Sequence, residues 1–482
     1  MTEPIVSQKL DGGNSADRAS LWALWWSAML RLRPAFVHAR SFLWFAAVVA
    51  GLTVCTKPLG VTSIARALRL RASSYDALIK HFRGNAVRLD ELAALWPQVV
   101  SRALFSPLRV NGRRILVGDG IKVAKYGRKM PGVKSLHQQS EHKAEFIMGH
   151  SLQAVSILVH AAQSVIAVPL AVRIHEGVVW SNRHKKTLLD KMLSLLGVLN
   201  TAEPFYLVAD AYYAAGRMID GLREQGNHLI TRVKANAVAY LPHEQCGPRR
   251  RGRPRRYGAK IPVVSLFENA STMLQSASPV YGDQDVVLRY AVRDLLWRPA
   301  GSLVRLVAVQ HPHRGSCVLL CTDLTLDAVE IIRLYGLRFK IEHSFKQAIH
   351  VVGAFAYRFW MKTMTPIRRG DGDQYLHRKS PEYRDAVRRK LHAYHTFVQA
   401  GVIAQGLAQY LAAAYPKLVW HSFGSWLRTI RTGIAPSEFV VTEALRRCLP
   451  DFLLRSAHHH VFAKFITQRQ DLEAAEMFCM AA

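Results

Sequence analysis

The chain has few cysteines and few acidic residues for its 482 residues. Its 6 cysteines are too sparse and irregular for a disulfide framework, so we expect a reducing, cytoplasmic setting. The longest nearly uncharged apolar run, at residues 42–55, is shorter than the roughly 20 residues that a membrane-spanning helix needs. No glycine-rich loop ending in Lys-Ser or Lys-Thr is present. We therefore expect neither a membrane partner nor a nucleotide cofactor.

What the chain does have is a large excess of positive charge. Lys and Arg number 65 against 34 Asp and Glu, which gives a formal net charge of +31 and a sequence pI near 10.3. The basic residues are spread from Arg31 to Arg469 rather than confined to one tail. Such a field attracts polyanions and predicts salt-dependent binding of DNA or RNA. A coding bias toward arginine, or a surface that binds an anionic membrane, would produce the same excess.

The first part of the chain, residues 1–105, is predicted to be a helical DNA-binding region. Its apolar residues recur at helical spacing without strand alternation. Two short helices at 61–68 and 75–82, joined by the polar turn RLRASS, have the outline of a helix-turn-helix. Any antiparallel pair of helices is the alternative interpretation. The candidate N-cap residues are Thr62 or Ser63 for the first helix and Ser73 or Ser74 for the second.

From residue 106 to residue 235 the pattern changes to that of an α/β layer. The run ILVGDGIKVA at 115–124 is typical of a strand interrupted by its Gly-Asp-Gly, and two more strand candidates follow at 152–161 and 165–174. Helices and strands then alternate, which favours a mixed sheet covered by helices. The predicted elements are helices at 182–199 and 213–225 and strands at 205–211 and 228–233.

Two aspartates occupy similar positions in this layer. Asp119 and Asp210 each follow a strongly apolar run, so we predict that each closes a strand at the rim of the sheet. An aspartate in this position is commonly a turn or cap residue. The alternative is a carboxylate held at the rim for catalysis, where cations must balance the loss of solvation.

A third carboxylate lies on a predicted helix at residues 325–349. Tyr335, Arg338 and Glu342 are spaced three and four residues apart, which places them on one face of a helix. Glu342 is either a solvated or paired charge or a catalytic group. Three carboxylates from two strands and a helix can hold two divalent ions about 4 Å apart, the arrangement that assists phosphoryl transfer. Magnesium or manganese suits these oxygen ligands.

The interval from Asp210 to Glu342 is far longer than a helix and its connections need. It contains the basic segment PRRRGRPRRYG at 248–258, followed by several strand-like runs, so we predict a β-rich insertion at 236–322. The arginine cluster has three interpretations: a solvated loop, a contact with phosphates, or a hook in the DNA minor groove. Contact with the phosphate backbone is the one we adopt. The arginines concerned are Arg253, Arg255 and Arg256.

The remainder of the chain completes this plan. Residues 323–365 are predicted to finish the catalytic domain, and 366–482 to form a helical C-terminal region. The run YRFW at 357–360 mixes aromatic and basic residues and has two interpretations. Its rings either pack in the core or stack on a flipped nucleotide base.

In their order along the chain and in the local sequence around them, these features resemble the DDE transposases of bacterial insertion sequences. The matching fragments are GDGIKVAKYG around Asp119, YLVADAYY around Asp210, RGRPRRYG in the insertion, and LYGLRFKIEHSFK through Glu342. The resemblance extends over residues 114–360 and implies a ribonuclease H-like catalytic core, a mixed sheet interrupted by the insertion. It also implies that the three carboxylates bind two Mg²⁺ or Mn²⁺ ions, and that Tyr335 and Arg338 contact transposon-end phosphates.

One position departs from the family pattern. The family commonly has a lysine seven residues after the glutamate, where this chain has Ile349, and Lys346 is the nearest basic substitute. The implied partners are double-stranded DNA, both terminal inverted repeats and target, and a second copy of the chain in the DNA complex. The implied activity is metal-dependent cleavage at transposon ends and strand transfer. The alternatives are a nuclease without strand transfer and a non-catalytic DNA-binding protein.

Overall fold

A computed structural model describes most of the chain. The segments that it describes are 20–57, 60–138, 145–162, 164–183, 186–243, 255–268, 273–424, 430 and 433–471.

The helices fall into four groups along the chain. The N-terminal group is α1 Leu21–Leu30, α2 Ala39–Val54, α3 Val61–Ala67, α4 Ala72–Arg83 and α5 Leu89–Val99. Two helices, α6 Leu188–Leu199 and α7 Gly216–Arg223, lie between strands, and two more, α8 Ala328–Leu337 and α9 Lys340–Gln347, follow the insertion. The C-terminal group is α10 Pro381–Ala414, α11 Pro416–Phe423, α12 Glu438–Ser456 and α13 Val461–Thr467.

The strands fall into three groups. The first is β1 Ser106–Pro107, β2 Arg109–Val110, β3 Arg113–Ala124, β4 Lys134–His137, β5 Phe146–Ala161, β6 Ser164–Ile174, β7 Val178–Val179, β8 Phe205–Ala209 and β9 His228–Val233. The insertion contributes β10 Val238–Pro242, β11 Tyr257–Pro262, β12 Leu274–Ala277, β13 Val287–Trp297, β14 Ser302–His311 and β15 Gly315–Cys321. The last, β16 Gln374–Tyr375, pairs with β7.

The central sheet is mixed and has the strand order β6-β5-β3-β8-β9. Strands β6, β5 and β3 form an antiparallel meander, whereas β3, β8 and β9 are parallel. The connections between the parallel strands contain α6 and α7, since the crossover between parallel strands is usually helical. This is the predicted ribonuclease H-like mixed sheet.

The insertion extends the same sheet. Its last strand, β15, pairs antiparallel with β9, and β14, β13, β10 and β11 follow in order. The last strand of the insertion is therefore hydrogen-bonded to the last strand of the central sheet. The predicted domain boundaries stay predictions.

The N- and C-terminal helices pack together around the long helix α10. This helix contacts α2, α4, α5 and α12 as well as strand β6. Its apolar side chains belong to one large core that also includes the tryptophans of α1 and the central strands. Burying aromatic rings contributes most of the energy that joins such layers. Within the described residues, none of the helices combines the length and apolarity that crossing a bilayer requires.

A second, smaller hydrophobic cluster lies apart from this core. It contains methionines and aliphatic residues from the segment after β3, from the loop before β16 and from the start of α10. The members are Met130, Val133, Met361, Met364, Ile367, Leu376, Val387 and Leu391. This cluster packs two loops against the side of the sheet, beyond the end of β3.

Several sequence predictions about local structure are wrong. Strand β3 does not end at Asp119 but continues to Ala124, because β5 pairs with it along that whole length. The helix expected from residue 182 begins at Leu188, where Thr187 and Asp190 form a capping box. The helices α3 and α4 have Gly60 and Arg71 at their N-caps rather than the predicted hydroxyl residues.

The predicted helix at residues 325–349 is in fact two helices. Helix α8 ends at Leu337, α9 begins at Lys340, and the junction lies at Arg338 and Phe339. Across the junction the amides of Arg338, Ile341 and Glu342 donate to carbonyls three residues earlier, which is the tighter 3₁₀ pattern. The interruption places Arg338 between the two helices.

Candidate active site

The two predicted aspartates lie side by side on adjacent parallel strands. The last register pair between β3 and β8 is Gly118 with Ala209, so Asp119 and Asp210 are the next residue on each strand. Asp210 ends β8, as predicted, and its carboxylate caps the following turn by accepting a hydrogen bond from the amide of Tyr212 at 3.1 Å. The sheet therefore brings the two carboxylates to equivalent positions.

Arg338 connects Asp119 to Glu342. Its Nη1 donates to Asp119 Oδ2 at 2.6 Å, and its Nη2 donates to Glu342 Oε1 at 3.0 Å. The other oxygen of Asp119 accepts from the amide of Gly120 at 2.7 Å. Glu342 is 43% exposed and lies in the first turn of α9, where a negative charge is favourable. The structure thus brings the third predicted carboxylate to the two strand aspartates, with a guanidinium between them.

The electrostatics of Asp119 are unusual for an aspartate paired with arginine. The pKa of Asp119 is raised to about 6, chiefly by burial and also by the nearby charges of Asp210 and Glu342, against the lowering effect of Arg338 and the Gly120 amide. Arg338 has a raised pKa despite its burial, because Asp119, Tyr335, Glu342 and Asp210 all stabilise its charge. The cluster therefore carries more negative charge than one guanidinium balances.

The donor set is chemically suited to divalent ions. Three carboxylates offer the hard oxygen ligands that Mg²⁺ and Mn²⁺ prefer, and mutual repulsion among them is relieved by a cation. Among the described residues, however, no three acidic, histidine or cysteine side chains are spaced to hold an ion in this conformation. Arg338 occupies the place between Asp119 and Glu342, so ion binding there requires its side chain to move.

The other predicted contacts on these helices lie near the cluster. Tyr335 is half-buried on α8 and lines, with Arg338, an apolar cleft of about 240 Å³ between α8 and the insertion strands. Lys346 is exposed one turn after Glu342. Ile349 is 37% exposed in the π-helical turn that follows α9, so the position where the family has lysine presents an apolar side chain. The DNA contacts of these residues stay predictions.

The arginine cluster of the insertion is described only in part. Arg255 and Arg256 are exposed at the start of β11, whereas Arg253 lies outside the described residues. The backbone carbonyl of Arg256 accepts from the amide of His243 at 3.2 Å, which holds the strand end in place. Both described side chains are exposed and therefore accessible to a binding partner.

The structure adds positioning residues that the sequence analysis did not identify. Thr231 on β9 donates its hydroxyl to the carbonyl of Asp210 at 2.6 Å, which fixes the end of β8. Gln153 on β5 donates to the hydroxyl of Tyr213 at 3.4 Å and so anchors the turn after Asp210. Tyr212 is 52% exposed beside Asp210. Of these residues, only Tyr212 and Tyr213, in the fragment YLVADAYY, had a signal in the sequence.

Comparison with protein families places the chain in a known group. The fold and the cluster define a ribonuclease H-like domain with two aspartates side by side on adjacent parallel strands, one within β3 and one directly after β8. Residues 31–302, more than half of the chain, match the family described as DDE superfamily endonuclease. The chain belongs to this family, which confirms the predicted resemblance. The matched segment includes Asp119 and Asp210 and ends before Glu342. A search of curated proteins found none that matches.

Proposed function

We propose that this chain is a DNA transposase that cleaves the ends of its element and joins them to target DNA. The observation that carries the proposal is the cluster itself: Asp119 and Asp210 side by side on neighbouring parallel strands, with Glu342 tied to Asp119 through Arg338. Membership of the DDE superfamily endonucleases supports a DNA substrate. The net charge of +31 supports it independently, since phosphate contacts dominate the affinity of proteins for DNA.

In this proposal Asp119, Asp210 and Glu342 hold two Mg²⁺ or Mn²⁺ ions. When bound, such a pair of ions stabilises the attacking and leaving oxygens of phosphoryl transfer. The two strands of the sheet fix the aspartates, and α9, which contacts β3, presents Glu342. Because the strands belong to a buried core, the carboxylates are held in place with little loss of side-chain freedom on binding.

Arg338 has two states in this proposal. Without DNA it neutralises Asp119 and Glu342. With DNA its guanidinium turns to a phosphate, which accepts two parallel N–H bonds as a carboxylate does. Tyr335 lines the adjacent cleft together with Arg338 and contacts the same DNA strand. Lys346, Arg253, Arg255 and Arg256 add backbone contacts, and α3 and α4 bind the terminal inverted repeat.

The test uses purified protein, Mg²⁺ and DNA that flanks its own gene. We expect nicks at the element ends and joined products with target DNA. Replacing Asp119, Asp210 or Glu342 by the corresponding amide should lower cleavage by about a thousandfold or more, which corresponds to about 4 kcal/mol of activation free energy. Full activity in Asp210→Ala, or no cleavage of any flanking DNA by the wild-type protein, would overturn the proposal.

A second function differs only in its products. The family description names an endonuclease, and a nuclease that cleaves without joining would use the same carboxylates. The two are separated by strand-transfer products, because only a transposase links the freed 3′-hydroxyl to target DNA. DNA binding that is independent of metal and leads to no cleavage would indicate instead a non-catalytic protein derived from a transposase.

A DNA complex with two bound ends requires two copies of the chain, and we propose a homodimer in that complex. The size of the complex on a terminal-repeat fragment, measured by light scattering with and without DNA, tests this. One chain for each pair of ends would contradict it.

A further inference from the structure

Two exposed aromatic side chains lie together at a surface cleft beyond the end of β3. Tyr126 is 91% exposed and Trp360 is 60% exposed. Both line one cleft of about 200 Å³, together with Lys125 and Arg358. Neither ring contacts another aromatic ring or a cation among the described residues. Leaving such large rings in water forgoes a stabilisation of about 2 kcal/mol each, so exposed pairs of this kind indicate a binding surface.

In the run YRFW at 357–360, side chains that pack in the core alternate with exposed ones. Tyr357 and Phe359 are buried and stack on each other and on the rings of the core. Arg358 and Trp360 alternate with them and point to the surface. Tyr357 and Phe359 anchor the segment in the core. Arg358 and Trp360 are therefore exposed on a backbone whose position is fixed by the packing of their neighbours.

Hydrogen bonds join the two segments that form the cleft. The ammonium group of Lys125 is buried and donates to the carbonyls of Phe355 and Tyr357. The amides of Met361 and Ile367 donate to the carbonyls of Lys129 and Arg128, at 3.0 and 2.7 Å. The methionine-rich cluster lies beneath both segments. Tyr126 and Trp360 are therefore held on a preorganised surface, which lowers the entropy lost when a ligand binds.

The charge around the cleft is of one sign. Residues 120–138 and 354–370 contain lysines and arginines but no aspartate or glutamate. Arg358 lies close enough to Lys125 to contribute to the lowering of its pKa, to about 7, although burial is the larger cause. Within the described part of the chain, no carboxylate forms an ion pair with Arg358. An anion at this position would balance two neighbouring cations.

We propose that the cleft binds an unpaired DNA nucleotide, with its base stacked on Trp360 and Tyr126 and its phosphate at Arg358. The faces of bases inside a duplex are covered by their neighbours, so only an unpaired base can stack on a protein ring. A volume of about 200 Å³ holds roughly seven water molecules at about 30 Å³ each, which leaves room for one base. This inference rests on the proposed function, since it concerns the same DNA.

The position on β3 relates this site to the carboxylates. Asp119 and Ala124 are on one strand, and five residue steps at about 3.3 Å amount to about 17 Å. That distance corresponds to about five nucleotides at about 3.4 Å of helix rise. The cleft would therefore receive DNA that has separated near, and not at, the cleaved bond.

The experiment measures binding without cleavage. The full chain, in EDTA, is titrated against a blunt duplex and against the same duplex with a single-stranded tail that contains 2-aminopurine. Wild-type protein should prefer the tailed duplex and change the 2-aminopurine fluorescence. Trp360→Ala and Tyr126→Ala should each weaken binding of the tailed duplex by about tenfold and leave the blunt duplex unaffected. Trp360→Phe should retain most of the preference, because a face for stacking remains.

Two further variants sharpen the result. Arg358→Ala should weaken binding of the tail and reduce its salt dependence, as expected for the loss of one phosphate contact. Tyr375→Ala removes another exposed ring, 48% exposed, whose face is covered by Arg378, and should leave tail binding unchanged. Equal affinity of the wild-type protein for tailed and blunt DNA, or full tail preference in Trp360→Ala and Tyr126→Ala, would overturn the inference. Failure of the proposed function appears separately, as absence of cleavage and joining by the wild-type protein with Mg²⁺.

Discussion

Two carboxylate–arginine clusters in this protein have opposite electrostatics. In the candidate site, Asp119 pairs with Arg338 and yet has a raised pKa, because it is buried and close to Asp210 and Glu342. In the insertion, Asp283 accepts hydrogen bonds from Ser278, His311 and Arg314 and has a lowered pKa, chiefly because of the Ser278 bond.

The comparison shows that pairing with arginine has a different electrostatic consequence at Asp119 and at Asp283. The acceptor oxygens of Asp283 are satisfied by three neighbours, and no second carboxylate is among the causes of its pKa shift. This is a structural cluster that fixes the turn before β13. The cluster at Asp119 gathers like charges that repel, which favours a cation other than the arginine. A shifted pKa marks a functional site when the neighbours oppose the charge rather than satisfy it.

The largest expected effect concerns Asp119 and pH. Its pKa is about 6 in the folded state and near 4 when the chain unfolds, so the folded state binds more protons between pH 4 and pH 6. Stability should therefore fall as pH rises through this interval, by up to about 3 kcal/mol for this group. Asp119→Asn should remove that fall. Urea denaturation of both proteins from pH 4 to pH 7 measures it, and parallel curves for the two would refute it.

Asp283 should show the opposite dependence. Its lowered pKa means that its stabilisation is present at neutral pH and is lost as pH falls through its folded pKa. Asp283→Asn should destabilise the protein by about 2 kcal/mol at pH 7, because Ser278, His311 and Arg314 lose their charged acceptor. The difference from wild type should shrink as pH falls below about 4. Denaturation midpoints give the values, with Asp385→Asn, in an exposed pair with Arg388, as a control that should change little.

Arg338 should compete with divalent ions when DNA is absent. Arg338→Ala frees Asp119 and Glu342, so we expect Mn²⁺ to bind the DNA-free protein about tenfold more tightly, a gain of about 1.4 kcal/mol. Titration calorimetry or the magnetic resonance signal of Mn²⁺ measures this without any reaction. Arg314→Ala, in the cluster at Asp283, is the matched control and should not alter Mn²⁺ affinity. Unchanged affinity in Arg338→Ala would show that the guanidinium does not obstruct the site.

The smallest effect is expected for Glu342. It is 43% exposed and its pair with Arg338 spans one helical turn, so Glu342→Gln should change stability by only about 0.3 kcal/mol. Cleavage should nevertheless be lost, as for the aspartates. A thermal melt beside a cleavage assay separates the two quantities. A large loss of stability would mean that Glu342 is structural, like Asp283.

Much of the fold could be predicted from local patterns. The apolar runs predicted as strands at 165–174, 205–211 and 228–233 are β6, β8 and β9, with bounds close to those expected, whereas β5 begins six residues earlier than predicted, at Phe146. The predicted β-rich insertion contains β13, β14 and β15. Strand and helix periodicity is a property of neighbouring residues, and a buried element satisfies it wherever the chain places it.

The errors lie where a partner segment decides the outcome. The Gly-Asp-Gly of β3 predicts a strand end at Asp119. Pairing with β5 instead continues the strand to Ala124. The spacing of Tyr335, Arg338 and Glu342 is the same in one helix as in two, so it could not reveal the junction at Arg338. The predicted N-cap residues were serines and threonines. The N-cap of α3 is Gly60, whose φ of 101° suits glycine.

By itself, the sequence determined the charge, the mixed α/β class and the family, and it predicted the three acidic residues. These follow from composition, periodicity and motif order, which need no long-range contact. Only the tertiary structure decided that Asp119 and Asp210 lie side by side on neighbouring strands, that Arg338 lies between Asp119 and Glu342, and that Tyr126 and Trp360 line one cleft. The physical reason is that pairing of distant strands and burial set both distance and local dielectric, and these two quantities fix the electrostatics of a site.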